Sequence, residues 1–332
     1  MHKQLRVTSG TRTLKNGKIR FENCHILQDS TTHVTCVRLG LDRTKPASFS
    51  LSSDRVEIAA HIRKKGDPAK TECQDSAIVI ITPKNVVAGV FDGFGPAGTF
   101  LSENAASIAT RLLRTDKVRC DPLLDVAQEL SDLGLYASGN LNREGGTTAV
   151  LASVSDKDGG FCVNGAGDSA IYRQRLPNQI SRLLNYFFDN RGDRIDEMII
   201  QEYLSRRHFV SSIGTLSFQP PIAGRYECSG GMLDAGEVLL LASDGLTKNL
   251  TVRFNPETQK VIDVSGCRSL QHILNGMREP SAMVEAILRA INRRVNRLER
   301  RVHLCNKSTV LWPQDDDVAL IAMKFHKFQE TF

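Results

Sequence analysis

Asp75-Ser76-Ala77-Ile78-Val79-Ile80-Ile81-Thr82-Pro83-Lys84-Asn85-Val86-Val87-Ala88-Gly89-Val90-Phe91-Asp92-Gly93 is the stretch from which the architecture can be read. Its two runs rich in β-branched residues, 77–82 and 86–91, flank Pro83-Lys84-Asn85, which predicts adjacent strands joined by a tight turn. One acid stands just before the first strand and another just after the second. The arrangement returns downstream: Asp244-Gly245 follows a buried-type strand over residues 238–242, and Asp315-Asp316-Asp317 precedes a last strand over 318–323. Four strand ends thus carry a carboxylate.

Working outward, Phe100, Leu101, Ala105, Ile108, Ala109, Leu112 and Leu113 recur at helical spacing, as do Leu123, Val126, Ala127, Leu130 and Leu133. Residues 148–154 and 161–164 flank Ser155-Asp156-Lys157-Asp158-Gly159-Gly160 in hairpin fashion, and 170–172 adds a short strand. The polar stretch 174–236, broken by Pro220-Pro221, reads as a long excursion with a helix near 195–204. Val284, Ile287, Leu288, Ile291, Val295, Leu298 and Val302 form a long helical stripe. Strands, helices, strands, helix and strand imply a layered α+β architecture of antiparallel sheets covered by helices. Residues 1–54, polar and Thr/Ser-rich, read as an N-terminal extension packed on the core, and 55–328 as the main domain.

Oxygen donors brought together from distant parts of a chain are what hard divalent cations such as Mg²⁺ and Mn²⁺ require. Two such ions sharing one water lower its pKa and orient it for in-line attack on phosphorus. Taken singly, each Asp-Gly is a common turn dipeptide, so the weight lies in the collective pattern.

The 332 residues are 41% hydrophobic and 24% charged, ordinary globular values that exclude a disordered, collagenous or coiled-coil chain. No apolar run approaches a membrane span, and MHKQLRVTSG lacks the apolar core of a secretory signal, so a cytoplasmic or nuclear protein is expected. The eight cysteines are scattered without CxxC or zinc-finger spacing, which fits a reducing compartment. A net charge of +6 is too slight to imply nucleic-acid binding.

Read in order, Thr71-Glu72-Cys73-Gln74-Asp75-Ser76, Val90-Phe91-Asp92-Gly93-Phe94-Gly95, Gly145-Gly146-Thr147-Thr148-Ala149, Gly165-Ala166-Gly167-Asp168-Ser169, Ala242-Ser243-Asp244-Gly245-Leu246 and Asp316-Asp317-Val318-Ala319 resemble the metal-dependent protein phosphatases (PPM, type 2C) over roughly residues 60–325. Ser212-Ile213-Gly214 is similar to a further short segment of that family. The resemblance implies a four-layer αββα sandwich of two antiparallel sheets flanked by helices, with two Mn²⁺ or Mg²⁺ ions per subunit at one end. It implies hydrolysis of phosphoserine and phosphothreonine in a phosphoprotein substrate; a monomer is expected. Carried over position by position, Asp92 bridges both ions, the Gly93 carbonyl binds one, Asp244 and Asp316 complete the other, and Asp75 contacts the metal-bound water. Asp316 is preferred to Asp315 or Asp317 because the family's acid lies two residues before the apolar position matched by Val318.

The departures are specific. Lys70 stands where the family usually has a phosphate-gripping Arg, keeping charge but losing the bidentate fork. Gln74 replaces a common Glu, and Phe94 a His proposed as general acid in many members. Asp168 matches a third-ion ligand whose usual partner is here Lys248, so the Lys248 ammonium is expected to pair with Asp168 in place of that ion. A rival from another class is a pseudophosphatase, a binding module in which Lys70, Gln74 and Lys248 have eroded the chemistry; the retained Asp75, Asp92, Asp244 and Asp316 argue against it. Arg289, Arg293, Arg294, Arg297, Arg300 and Arg301 read as a solvated helix face, and no GxxxxGK[ST] or GxSxG pattern accompanies Gly145-Gly146-Thr147-Thr148 or Ser243.

Overall fold

The computed structural model describes residues 3–14, 17–29, 32–64, 71–114, 125–126, 129, 145–167, 169–175, 179–184, 227–250, 253–254, 261–263, 267–304, 316–326 and 328. In chain order the strands are β1 (Lys3–Leu14), β2 (Gly17–Asp29), β3 (Val34–Leu39), β4 (Ala47–Ser53), β5 (Val56–Arg63), β6 (Asp75–Ile81), β7 (Asn85–Phe94), β8 (Gly146–Thr147), β9 (Ala149–Ser155), β10 (Gly160–Ala166), β11 (Ala170–Arg175), β12 (Gln179–Arg182), β13 (Glu227–Met232), β14 (Val238–Ala242), β15 (Arg253–Phe254), β16 (Val261–Asp263) and β17 (Val318–Phe325). The helices are α1 (Gly98–Leu113), α2 (Asp244–Leu250), α3 (Cys267–Ile273) and α4 (Pro280–Leu304). The helix expected over 195–204 and Ser212-Ile213-Gly214 lie outside the described residues, as does the helix expected over 123–133 apart from residues 125, 126 and 129.

Fifteen strands form one antiparallel sheet, ordered β12-β11-β14-β17-β5-β4-β2-β3-β6-β7-β9-β10-β13, with β1 added to β2 and β8 to β7. The β6–β7 hairpin is the expected one. Its turn is held by Thr82, whose Oγ1 accepts the Asn85 N–H at 2.9 Å while its own N–H donates to the Asn85 carbonyl at 2.9 Å.

Segment 1–54 enters the sheet through β1, β2, β3 and β4. Along β2, residues 17–22 pair with β4 and residues 24–29 with β3. Asn23 stands at the change of partner with φ 51°, a left-handed conformation that Asn tolerates better than most residues. Its Nδ2 donates to the Asp42 and Lys45 carbonyls, and its Oδ1 accepts the Asp42 N–H at 2.7 Å, fixing the loop between β3 and β4.

Side chains alternate faces along a strand, and both faces of β6 are covered, which is why its sequence is a continuous apolar run. Val79 joins Ala88, Val90, Val150, Ile58, Leu239, Leu241 and Ile321 in a core drawn from both halves of the sheet. Ile78 and Ile80 face the other way, against Leu101, Ala105, Ile108 and Ala109 of α1. A third core places Leu240 and Leu320 under Leu270 of α3 and Ile287 and Ile291 of α4. Each large aliphatic side chain so withdrawn from water contributes about 1.5–3 kcal/mol before entropy is counted. No helix among the described residues is long and apolar enough to cross a membrane.

Candidate metal centre

Antiparallel register puts Asp75, the first residue of β6, directly opposite Asp92 near the end of β7. Beyond Asp92 the chain stays paired: Gly93 faces Thr147 of β8, and the Asp92 carbonyl accepts the Thr148 N–H at 2.8 Å. Elsewhere, β14 and β17 are antiparallel neighbours, so the residues following β14 meet those preceding β17. Asp244, opening α2, therefore arrives beside Asp316 and Asp317. The Ser243 N–H donates to the Ala319 carbonyl at 3.0 Å and its Oγ accepts the Ala319 N–H at 2.9 Å, pinning this junction. The two halves of the sheet are joined across the site, where the Asp244 N–H donates to Asp92 Oδ2 at 3.3 Å and the Gln74 N–H to Asp317 Oδ2 at 2.7 Å.

Both Asp-Gly glycines are required by space rather than by φ. A Cβ on Gly245 would lie 1.9 Å from the Asp317 carbonyl oxygen, and one on Gly93 would lie 2.2 Å from that of Gly98 and 2.7 Å from that of Gln74. Gln74 is a hub in its own right. Its carbonyl accepts the Gly93 N–H and the Ser102 hydroxyl, and its Nε2 donates to the Gly95 carbonyl at 2.6 Å, a bond that an ionised Glu at this position could not make.

Asp75 is the electrostatic centre. It is 1% exposed, and neither carboxylate oxygen has a hydrogen-bond partner. Burial raises its pKa well above the usual carboxylate range, and the charges of Asp317, Asp244 and Asp316 push the same way; the nearby Ser243 hydroxyl opposes them without meeting hydrogen-bond geometry. Behind it, the buried Arg43 guanidinium donates to the Asp75 carbonyl, to Ser76 Oγ at 2.8 Å and to Glu103 Oε1 of α1 at 2.8 Å. The Arg43 carbonyl in turn accepts the Cys73 N–H at 2.9 Å. The cation thus holds the backbone of β6 and leaves the carboxylate facing other acids.

Of the residues expected from sequence, Asp75, Asp92, Gly93, Asp244 and Asp316 come together. Lys70, Asp168 and Asp315 lie outside the described residues; Lys248 is on α2, and its side chain is outside them too. Among the described residues no three His, Cys, Asp or Glu side chains close around a single point. The chemistry of the donors nonetheless fits a hard cation: they are all oxygen, those of Asp75, Asp92 and Asp244 are buried, and Asp75 lacks any protein donor.

Several solved structures share this architecture. MsPP from Mycobacterium smegmatis, a PPM Ser-Thr phosphatase solved with cacodylate, is 18% identical over 80% of this chain and 97% of its own, with a TM-score of 0.51. PppA, a regulatory component of T6SS in Pseudomonas aeruginosa, is 17% identical over 82% and 98%, with a TM-score of 0.52. The serine/threonine phosphatase PstP/Ppp of Mycobacterium tuberculosis is 15% identical over 82% and 100%, with a TM-score of 0.51. The chain has the PPM phosphatase fold. At these identities the likeness is one of fold, and no protein-family profile or curated protein matches the sequence itself.

Within the PPM fold, four supports of the site escaped sequence reading: Arg43, Ser102, Ser243 and Asp317. Asp317 stands in an acidic triplet that sequence offers only as alternative ligands; its 2% exposure and its bond from Gln74 make it a staple between β17 and β6. Arg43 left no signal, since its partners lie 32 to 60 residues away.

Proposed function

We propose that the chain is a PPM, type 2C, protein phosphatase that hydrolyses phosphoserine and phosphothreonine with two divalent cations, Mn²⁺ or Mg²⁺. The Asp75 carboxylate carries this reading: it is buried, has no hydrogen-bond partner, lies opposite Asp92 and is surrounded by Asp244, Asp316 and Asp317. Negative charge so concentrated is strongly destabilising until a cation neutralises it.

The carboxylates of Asp92, Asp244 and Asp316 and the carbonyl of Gly93 would hold the ions, which when bound supply the Lewis acidity that activates water toward phosphorus. Asp75 would orient the attacking water and receive its proton. Lys70 would seat the phosphate as a point charge, giving orientation less sharply fixed than a bidentate Arg would. Phe94 offers no proton, so the leaving alkoxide would draw one from solvent.

In the same reading the three cores separate four layers, αββα, with 55–328 as the catalytic unit and β2–β4 of the preceding segment built into its sheet. Asp168 and Lys248 would form an ion pair in place of a third ion. The substrate would be a cytoplasmic or nuclear phosphoprotein met by a monomer.

The test is phosphate release from an aryl phosphate and from a phosphopeptide, with and without Mn²⁺. Wild-type turnover should require the ion, and Asp92→Asn should lose it by at least about 100-fold, on the scale of removing a preorganised electrostatic contact. Wild-type turnover no higher than that of Asp92→Asn would leave the binding-module reading instead.

A further inference from the structure

Two thiols lie against each other at the β10–β13 end of the sheet order. Cys162 of β10 and Cys228 of β13 have their Sγ atoms 3.7 Å apart. The register pairs Cys162 with Gly230 and Asn164 with Cys228, so the cysteines are diagonal neighbours on one face of the two strands. Gly230, having no side chain, leaves the space opposite Cys162 open, and the Asn164 amide donates to Cys162 Sγ at 3.6 Å. Cys228 is exposed and Cys162 half-buried. We propose that Cys162 and Cys228 are an oxidative modification site, a dithiol that hydroperoxides convert to a disulfide linking β10 to β13.

The chemistry closes without another cofactor. The Cys228 thiolate, the more exposed of the two sulfurs, attacks a peroxide oxygen, breaking the O–O bond to give a sulfenic acid and releasing hydroxide or alkoxide. The Cys162 sulfur then attacks the Cys228 sulfur, forming the S–S bond and expelling the sulfenic oxygen as water. Two thiols are oxidised by two electrons, and with hydrogen peroxide the products are one disulfide and two waters.

Selectivity over three of the four other described thiols follows from their surroundings; the fourth, Cys267, is half-buried at the start of α3 against the third core. Cys24, Cys36 and Cys73 are buried, and burial pushes Cys24 up to about 12 and Cys36 up to about 11, with Cys73 also raised, so none presents a thiolate to solvent near neutral pH. Diagonal cross-strand positions sit farther apart than a disulfide prefers, so β13 must draw in toward β10 as the bond forms. Such a bond is expected to be readily reversed by dithiothreitol.

The experiment treats the full chain with hydrogen peroxide, blocks thiols with N-ethylmaleimide under denaturing conditions, and maps peptides by mass. The expected result is a loss of two titratable thiols out of eight, a cross-linked peptide pair containing Cys162 and Cys228, full reversal by dithiothreitol, and a higher unfolding temperature for the oxidised protein. Cys228→Ser, at an exposed position, should keep its remaining thiols at the same peroxide dose. Conversion of Cys228 to sulfinic acid with Cys162 still alkylated, or earlier oxidation of any other cysteine, would overturn the proposal. So would an unchanged thiol count.

Discussion

A glycine that follows an acid is ordinarily credited to a turn, yet neither Gly93 nor Gly245 has a positive φ. What each supplies is the absence of a Cβ where a neighbouring backbone passes, at Gly98 and Asp317 respectively. Gly245→Ala must separate α2 from the Asp317 backbone, and the strain is expected to cost about 1–3 kcal/mol in urea unfolding. Because Asp244 moves with α2, Mn²⁺ affinity measured by calorimetry should fall in the same protein; unaltered affinity would mean that the strain is absorbed elsewhere. Arg43 gives a second case. Arg43→Met leaves the Asp75 carbonyl and Ser76 hydroxyl without their donor, an expected loss of about 1–3 kcal/mol, while Arg43→Lys, with one ammonium for three acceptors, should recover only part. Equal stability of the Met and Lys variants would contradict that account.

The β6–β7 hairpin, α1, α4 and the closing strand were legible because their patterns are local and their faces covered: a doubly buried strand and an apolar helical stripe announce themselves. β4 was not, although Ala47, Phe49 and Leu51 point inward and Ser48, Ser50 and Ser52 outward in strict alternation. Averaged over the segment, the serines read as polar extension. β2 was obscured further because Asn23 interrupts its alternation at the point where its partner changes. Beside β4 on its other edge, β5 carries His61, whose pKa is lowered to about 4, chiefly by burial and then by Arg63. An unfolded histidine titrates near 6.5, so as pH falls from there toward 4 the unfolded chain takes up a proton that the native one refuses. Stability associated with His61 is present above that window and lost within it. Between pH 7 and pH 5 the wild type should lose about 2 kcal/mol more than His61→Gln in urea unfolding. Parallel pH profiles for the two proteins would assign the burial cost to other groups.

The acids of the site come from β6, β7, the start of α2 and the approach to β17, segments separated by as many as 243 residues and linked by single hydrogen bonds such as Gln74 to Asp317. Strand ends marked by aspartate made the positions readable, but nothing in the sequence gave Asp75 its burial or Asp317 its bond from Gln74, since both depend on how the two halves of the sheet meet. That convergence has an energetic sign which tests the reading at the level of global stability. Without a cation, the carboxylates of Asp75, Asp92, Asp244 and Asp316 oppose folding through mutual repulsion; Asp92→Asn keeps an acceptor for the Asp244 N–H while removing a charge. In chelator, Asp92→Asn should therefore unfold at a temperature equal to or above that of the wild type. With free Mn²⁺ at about 100 times its dissociation constant, binding to the native state alone adds about 2.7 kcal/mol. For a chain of 332 residues that corresponds to a rise of roughly 4 °C in the wild type, and Asp92→Asn should forgo most of it. The order of the two proteins thus reverses when the ion is added. An acid that served only to bind neighbouring backbone would instead leave Asp92→Asn the less stable protein in both conditions, and scanning calorimetry of the pair with and without Mn²⁺ distinguishes the two.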